Sequence, residues 1–328
     1  MLRVGLNPYG LTYHLGLQGR GTPRANAAAT GLEGFIAIAT ELRAETLEIY
    51  DPWLQAMSDA ELAGLKARLG DLGMTPVVSA GLNMMGPMES AFRSAAALGA
   101  TTIRLGLSPV LCGDRNAFGE KWHALVASIR AALAEWGPRA ADAGTVLAIE
   151  NHQDFTSAEL VAFCEEAGSG VGITFDTGNT FPVAEAPLDF TRRIAPFVRH
   201  VHLKDYRVQF TEEGYRLVRC AIGDGAVPYP AMIALLAEHH DSLTAVLEPG
   251  ALEARHVRLF TPDWWNGYAP KTARELAACL RAAQVNRLPE DADPRTPWER
   301  GEDGALEAYE LDMIRRSAAT MRALGIMR

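Results

Sequence analysis

Short apolar runs rich in β-branched residues recur along the chain, and longer stretches of Ala, Leu and Glu separate them. Eight such runs fall at 3–7, 46–50, 75–80, 101–106, 145–150, 171–176, 198–203 and 243–248. Their length and composition predict strands. The intervening segments, among them DAELAGLKARLGDLG, MESAFRSAAALGA and SAELVAFCEEAG, are helix-forming in composition. Strands that alternate with helices predict a parallel sheet. Eight units within 328 residues predict a closed (β/α)8 TIM barrel spanning residues 1–328 as one domain. An open doubly wound sheet is the weaker alternative, because no GxGxxG follows the first strand.

Two stretches break the simple repeat. PYGLTYHLGLQGRGTPRANAAATG follows the first strand, and a long insertion, 251–304, separates the eighth strand from the last helix, ALEAYELDMIRRSAATMRALG. Both leave the barrel at the C-terminal ends of strands, where the active sites of such barrels lie, so both are expected to wall a pocket.

The last residue of four successive runs sharpens this picture. VLAIE closes on Glu150, VGITFD on Asp176, VRHVH on His202 and TAVLE on Glu248. Side chains alternate along a strand, so Glu150 shares its face with Ala148 and Val146, Asp176 with Thr174 and Gly172, His202 with His200 and Val198, and Glu248 with Val246 and Thr244. The companions are mostly small, as a crowded barrel interior requires, while Leu147, Ile149, Ile173, Phe175 and Leu247 face outward. Taken singly, each polar end reads equally well as a solvated residue. Together, on strands five to eight, they predict a mostly oxygen site for one divalent metal ion, Mn2+ first, with Mg2+, Co2+ or Zn2+ as alternatives.

Composition narrows the classes. A net charge of -9 argues against a dedicated nucleic-acid or anionic-membrane binder. No run reaches the roughly 18 apolar residues of a membrane helix, and MLRVGLNPYG lacks a secretory apolar segment. Cys112, Cys164, Cys220 and Cys279 form no CxxC and read as reduced thiols. A cytoplasmic location is expected.

The motifs IENH (149–152), FDTGN (175–179), HVHLKD (200–205), IGDG (222–225) and LEPG (247–250) resemble those of the xylose-isomerase-like barrels, the sugar phosphate isomerase/epimerase superfamily that includes ketose 3-epimerases. The resemblance runs from the first strand to the last helix. It implies that Glu150, Asp176, His202 and Glu248 bind one metal, and that Glu150 and Glu248 are also the catalytic acid/base pair. A metal held by two neighbouring oxygens of a hydroxy-ketone stabilises an enediolate, and a carboxylate on each side can take and return a proton. The implied activity is isomerisation or epimerisation of a sugar or sugar derivative. A lyase of the same fold is the alternative: an oxo-sugar-acid decarboxylase, a dehydratase or a C-glycoside deglycosidase. One departure favours the alternative, since many such epimerases carry histidine where this chain has Asn179. A nuclease of the endonuclease IV type shares the fold but needs more histidines than the eight here and a basic face. The expected partner is a small-molecule carbohydrate, and fold-level analogy implies a homo-oligomer, dimer or tetramer.

His152, Asn179, Lys204, Arg207, Arg258, Trp264 and Trp265 are the candidate substrate contacts. His152 and Lys204 stand at the rim of their strands, and the two tryptophans in the insertion could cover a sugar face or simply pack onto the barrel. Arg255, His256 and Arg258 could contact an anion. Glu48 and Arg104 fall mid-strand, either as an internal ion pair or within reach of substrate, and His200 is either a support for a metal ligand or a core histidine.

Overall fold

The computed structural model describes residues 2–82, 87–250 and 252–328. All eight expected strands form: β1 (Leu2–Leu6), β2 (Thr46–Tyr50), β3 (Thr75–Gly81), β4 (Thr102–Gly106), β5 (Val146–Glu150), β6 (Val171–Asp176), β7 (Val198–Leu203) and, after two further strands, β10 (Leu243–Leu247). They close into a barrel in the order β1-β10-β7-β6-β5-β4-β3-β2, every pairing parallel. Leu147, Ile149, Ile173, Phe175 and Leu247 are fully buried against the surrounding helices. Among the described residues no helix is long and apolar enough to cross a membrane.

Register decides which side chains meet at the barrel mouth. Ile173 pairs with Val198, but Thr174 pairs with His200 and Asp176 with His202, so β7 carries one extra residue at this point. Without that bulge, continuation of the first pairing would set Asp176 beside Val201, and the histidines would turn to the other face. The bulge therefore brings His202 level with Asp176. It also means that strand parity does not run from His202 back to Val198, contrary to the simple alternation expected from sequence. On the other side His202 is level with Val246, and Glu248 continues that ladder one residue past β10, its N–H donating to the Leu203 carbonyl at 2.9 Å.

A second sheet lies outside the barrel. Directly after Lys204, β8 (Asp205–Thr211) and β9 (Gly214–Cys220) form an antiparallel hairpin, and β11 (Arg255–Val257) adds to β9. The apolar-run pattern does not anticipate this sheet. Its strands alternate, with Tyr206, Val208, Tyr215 and Leu217 buried and Arg207 and Arg216 partly exposed, the signature of a sheet covered on one face only. β11 belongs to the stretch between β10 and the final helix (Leu306–Ala323). Residue 251, where sequence analysis starts that stretch, is outside the described residues. Further along it runs a helix (Ala273–Ala283), begun by a capping box in which Thr272 and Glu275 bond each other's backbone N–H.

The loop after β1 is tied to the final helix by one carboxylate. Glu310 accepts from Thr12 Oγ1 at 3.1 Å and from the backbone N–H groups of Tyr13 and His14, both at 3.0 Å. Burial pushes its pKa up to about 7, against the opposing pull of those donors. Removing the acceptor strands buried donors, so Glu310→Ala should lower unfolding free energy by about 1–3 kcal/mol in urea denaturation. Because folded Glu310 holds its proton to a higher pH than the unfolded chain does, its contribution to stability falls as pH rises from about 4.5 to about 7. Glu310→Gln should remove that slope, and an unchanged slope would contradict the assignment.

Candidate metal centre and active-site cavity

Glu150, Asp176, His202 and Glu248 converge as their strand positions require. One ligand atom from each lies within 4.8 Å of the others, and all four residues are buried. Glu150 Oε1, His202 Nδ1 and Glu248 Oε2 have no hydrogen-bond partner. Yet His202 Nδ1 stands 3.2 Å from Glu150 Oε1 and 2.7 Å from Glu248 Oε2. Buried polar atoms that face each other without bonding geometry are costly unless something joins them. Hard carboxylate oxygens with one imidazole nitrogen fit a divalent cation.

Each ligand is held from behind. Glu48 Oε2 lies 2.6 Å from His202 Nε2 and 3.0 Å from His200 Nε2, and His200 Nδ1 lies 2.7 Å from Thr244 Oγ1. Glu48 thus engages the far nitrogen of His202 and leaves Nδ1 for the cluster, the carboxylate–histidine arrangement that orients metal-binding imidazoles. Arg104 pairs with Glu150 Oε2. Asp176 is fixed at both ends: Asn151 accepts from its N–H at 2.7 Å and donates to its carbonyl at 2.8 Å, while Gly178 N, Asn179 N and Asn179 Nδ2 donate to its carboxylate at 3.0, 3.2 and 2.7 Å. Lys204 Nζ bridges Asp176 Oδ2 at 2.6 Å and Glu248 Oε1 at 2.5 Å.

The charges follow from these contacts. Burial alone would raise the Glu150 carboxyl, but Arg104 and His202 outweigh it and hold it well below the usual range. Glu248 is likewise held low by Lys204 and His202 against burial. Asp176 is the exception, since burial pushes it up to about 6 despite Lys204. Burial disfavours a charged His202, yet Glu48 and Glu248 draw its pKa well above that of free imidazole.

A cavity of about 190 Å3 opens beside the cluster, lined by Tyr9, Arg104, His152, Arg219, Glu248 and Arg255 among others. Burial pushes the His152 pKa down to about 4, so this rim imidazole is neutral near pH 7. Of the candidate contacts named from sequence, His152 lines the cavity, as do Arg255, offered there as an anion contact, and Arg104, offered as within reach of substrate. The others sit elsewhere for identifiable reasons. Asn179 is spent on Asp176 and accepts from Tyr206 Oη at 3.1 Å. Lys204 is locked between two carboxylates. Arg207 turns off the hairpin to the Asn286 carbonyl at 3.3 Å, and Arg258 bonds Asp114 and Asp263 at 2.9 and 3.1 Å. Trp264 is fully buried, stacked on Tyr268, with Nε1 donating to the Cys112 carbonyl at 2.9 Å; Trp265 donates to the Leu259 carbonyl at the same distance. Trp264 pins its segment to the loop after β4, and Trp265 closes a turn within that segment.

Glu48 and Arg104 form no pair with each other among the described contacts; Glu48 pairs with His202 and Arg104 with Glu150, two members of the candidate cluster. The polar character of Glu48 and Arg104 mid-strand was the signal for these contacts. Asn151 and Arg219 were missed. Asn151 sits inside the IENH motif, but nothing local reveals that it grips the neighbouring strand. HLKD and IGDG meet through Asp205, whose carboxylate accepts from the N–H groups of Gly223, Gly225 and Val227 at 2.9, 3.1 and 3.1 Å.

The profile of the family described as the xylose isomerase-like TIM barrel matches residues 25–283. The uncharacterized protein YihM of Escherichia coli K12 is 31% identical over 93 residues, 28% of this chain and 28% of that protein. The match thus spans little more than a quarter of that relative. Among solved structures, D-psicose 3-epimerase in the presence of D-fructose is similar with a TM-score of 0.55 at 18% identity, over 90% of this chain and 94% of that one. The probable 3-DHS dehydratase AsbF of Bacillus anthracis gives 0.54 at 16% identity, over 76% and 92%. At these identities the two structures establish a shared fold.

If Glu48 orients His202 toward a cation, Glu48→Gln should weaken Mn2+ binding about 10–100-fold. Calorimetric titration of chelator-stripped protein measures this. Wild-type affinity in the variant would remove Glu48 from that role.

Proposed function

Because the chain belongs to the xylose isomerase-like TIM barrel family, and because four strand-end ligands converge in it, we propose that it is a divalent-metal-dependent isomerase or epimerase of a sugar or sugar derivative. The observation that carries the reading is the meeting of Glu150, Asp176, His202 and Glu248 within 4.8 Å, with three orphaned polar atoms facing inward. A divalent cation bound by these four residues, Mn2+ first, supplies Lewis-acid polarisation of a carbonyl and its neighbouring hydroxyl.

The chain's own groups do the rest. Glu248 lines the cavity and is kept ionised by Lys204, so it is ready to take a proton from the carbon beside the carbonyl. Glu150, kept ionised by Arg104, is the second carboxylate and the one proposed to return the proton. Neutral His152 is positioned to bond a sugar hydroxyl at the cavity wall. The likeness to D-psicose 3-epimerase accords with this chemistry at the level of fold.

A lyase acting from the same site is the second reading, whether decarboxylase, dehydratase or C-glycoside deglycosidase. Asn179 favours it, because an amide committed to Asp176 and Tyr206 cannot carry the proton that a histidine could. The fold shared with a probable dehydratase fits as well.

Incubation of free ketoses with Mn2+-loaded protein in D2O separates the two. Isomerase or epimerase action places deuterium at one carbon of the recovered sugar. Release of CO2, water or an aglycone instead decides for the lyase. Under either reading Glu248→Gln should lower kcat by about 10²–10⁴-fold, and retained full activity would contradict its acid/base role.

A further inference from the structure

Two guanidinium groups line the cavity without a close counter-charge among the described residues. Arg219, near the end of β9, is buried at 4% exposure, and its Nε has no hydrogen-bond partner. Its Nη1 reaches only the Pro249 carbonyl, at 3.5 Å, and it forms no ion pair among the described residues. Arg255, on β11, also has a buried Nε without a partner, and its nearest carboxylate is Glu253 at a distant 3.9 Å. Both line the cavity beside Glu248.

The third arginine of the lining, Arg104, is committed to Glu150, and Glu248, the carboxylate of the described lining, is committed to Lys204. Burying an unpaired guanidinium is strongly unfavourable unless a counter-charge arrives. The small sheet holding these two arginines contributes none of the four metal ligands. Backbone conformation is adapted to one of them as well. Gly250, two residues beyond Glu248, has φ 68°, and a Cβ there would lie 2.6 Å from Arg219 Nη1. Any other residue would be strained at this φ and would meet the Tyr9 carbonyl at 2.8 Å as well as the guanidinium.

We propose that Arg219 and Arg255 form an oxyanion subsite, and that the substrate is therefore a carbohydrate carrying a carboxylate or a phosphate. This deepens the reading of the site as a sugar-processing centre and rests on it. Planar guanidinium forks match either anion through paired N–H donors. In a chain of net charge -9, one unpaired cation and one weakly paired cation at one small cavity give selectivity for such a group over a neutral sugar.

Calorimetric binding to the Mn2+-loaded protein, with D-glucose, D-glucuronate and D-glucose 6-phosphate as probes, tests the subsite. At least one anionic probe should bind about tenfold or more tighter than D-glucose, since losing a charge partner at a buried site exceeds the 1.4 kcal/mol that tenfold represents. Tighter glucuronate identifies the group as carboxylate, and tighter glucose 6-phosphate as phosphate. Arg219→Ala and Arg255→Ala should each abolish the preference while Mn2+ affinity stays within about twofold of wild type. Arg255→Ala, at the more exposed position, carries the test alone if Arg219→Ala does not fold. Equal binding of neutral and anionic probes, or variants that keep the preference, would overturn the subsite. An anion preference in a wild-type protein that fails to bind Mn2+ would sink the metal reading and leave the subsite standing.

Discussion

Carboxylates from β5, β6 and the end of β10 share one small volume at the mouth of the barrel, and like charges so close in a dry interior repel strongly. The surrounding structure is arranged around that constraint. Arg104 balances Glu150, Lys204 spans Asp176 and Glu248, and His202 stands between Glu150 and Glu248. Glu48 steadies the imidazole from below, and His200 and Thr244 steady Glu48's neighbourhood in turn. Without these partners burial would neutralise the carboxylates by raising their pKa values, as it partly does at Asp176. Kept ionised, Glu150 and Glu248 suit the proposed roles of ligand and base.

A closed parallel barrel suits this arrangement because it delivers side chains from different strands to a single end. Closure alone does not set the level of each. The extra residue in β7 decides whether His202 faces Asp176 or the helices. Asn151 clamps β5 to β6 at the same height. The site thus depends on register as much as on residue identity, and the irregularity in β7 is part of its design.

Much of this was legible in the amino-acid sequence, for physical reasons. Short β-branched runs between helix formers leave few architectures, and a polar residue at the end of each of four such runs has one natural meeting point. What stayed hidden depends on distance through space. Glu48 and Arg104 could be recognised as odd for strand interiors, but which partner each meets is set by barrel closure. For Trp264 and Trp265 the sequence left open a sugar-covering role or packing; Trp264 packs, its N–H donating to the Cys112 carbonyl in the loop after β4, and Trp265 bonds Leu259 within its own segment. Arg219 drew no notice in an alternating strand, where a basic residue is ordinarily solvated. It is buried beside Pro249 and Gly250, just past β10 and remote from it in sequence.

Among the described residues, two sets of acidic and imidazole groups at the barrel's heart could take an ion: the strand-end four, and Glu48 with His200 and His202. The proposed proton transfer depends on the first. Anomalous diffraction at the manganese edge, from crystals grown with Mn2+, distinguishes them directly. A single peak in contact with Glu150, Asp176, His202 Nδ1 and Glu248 is the predicted result. A peak on Glu48 and His200 at the Nε2 side of His202, or no peak among these residues at saturating Mn2+, would contradict it.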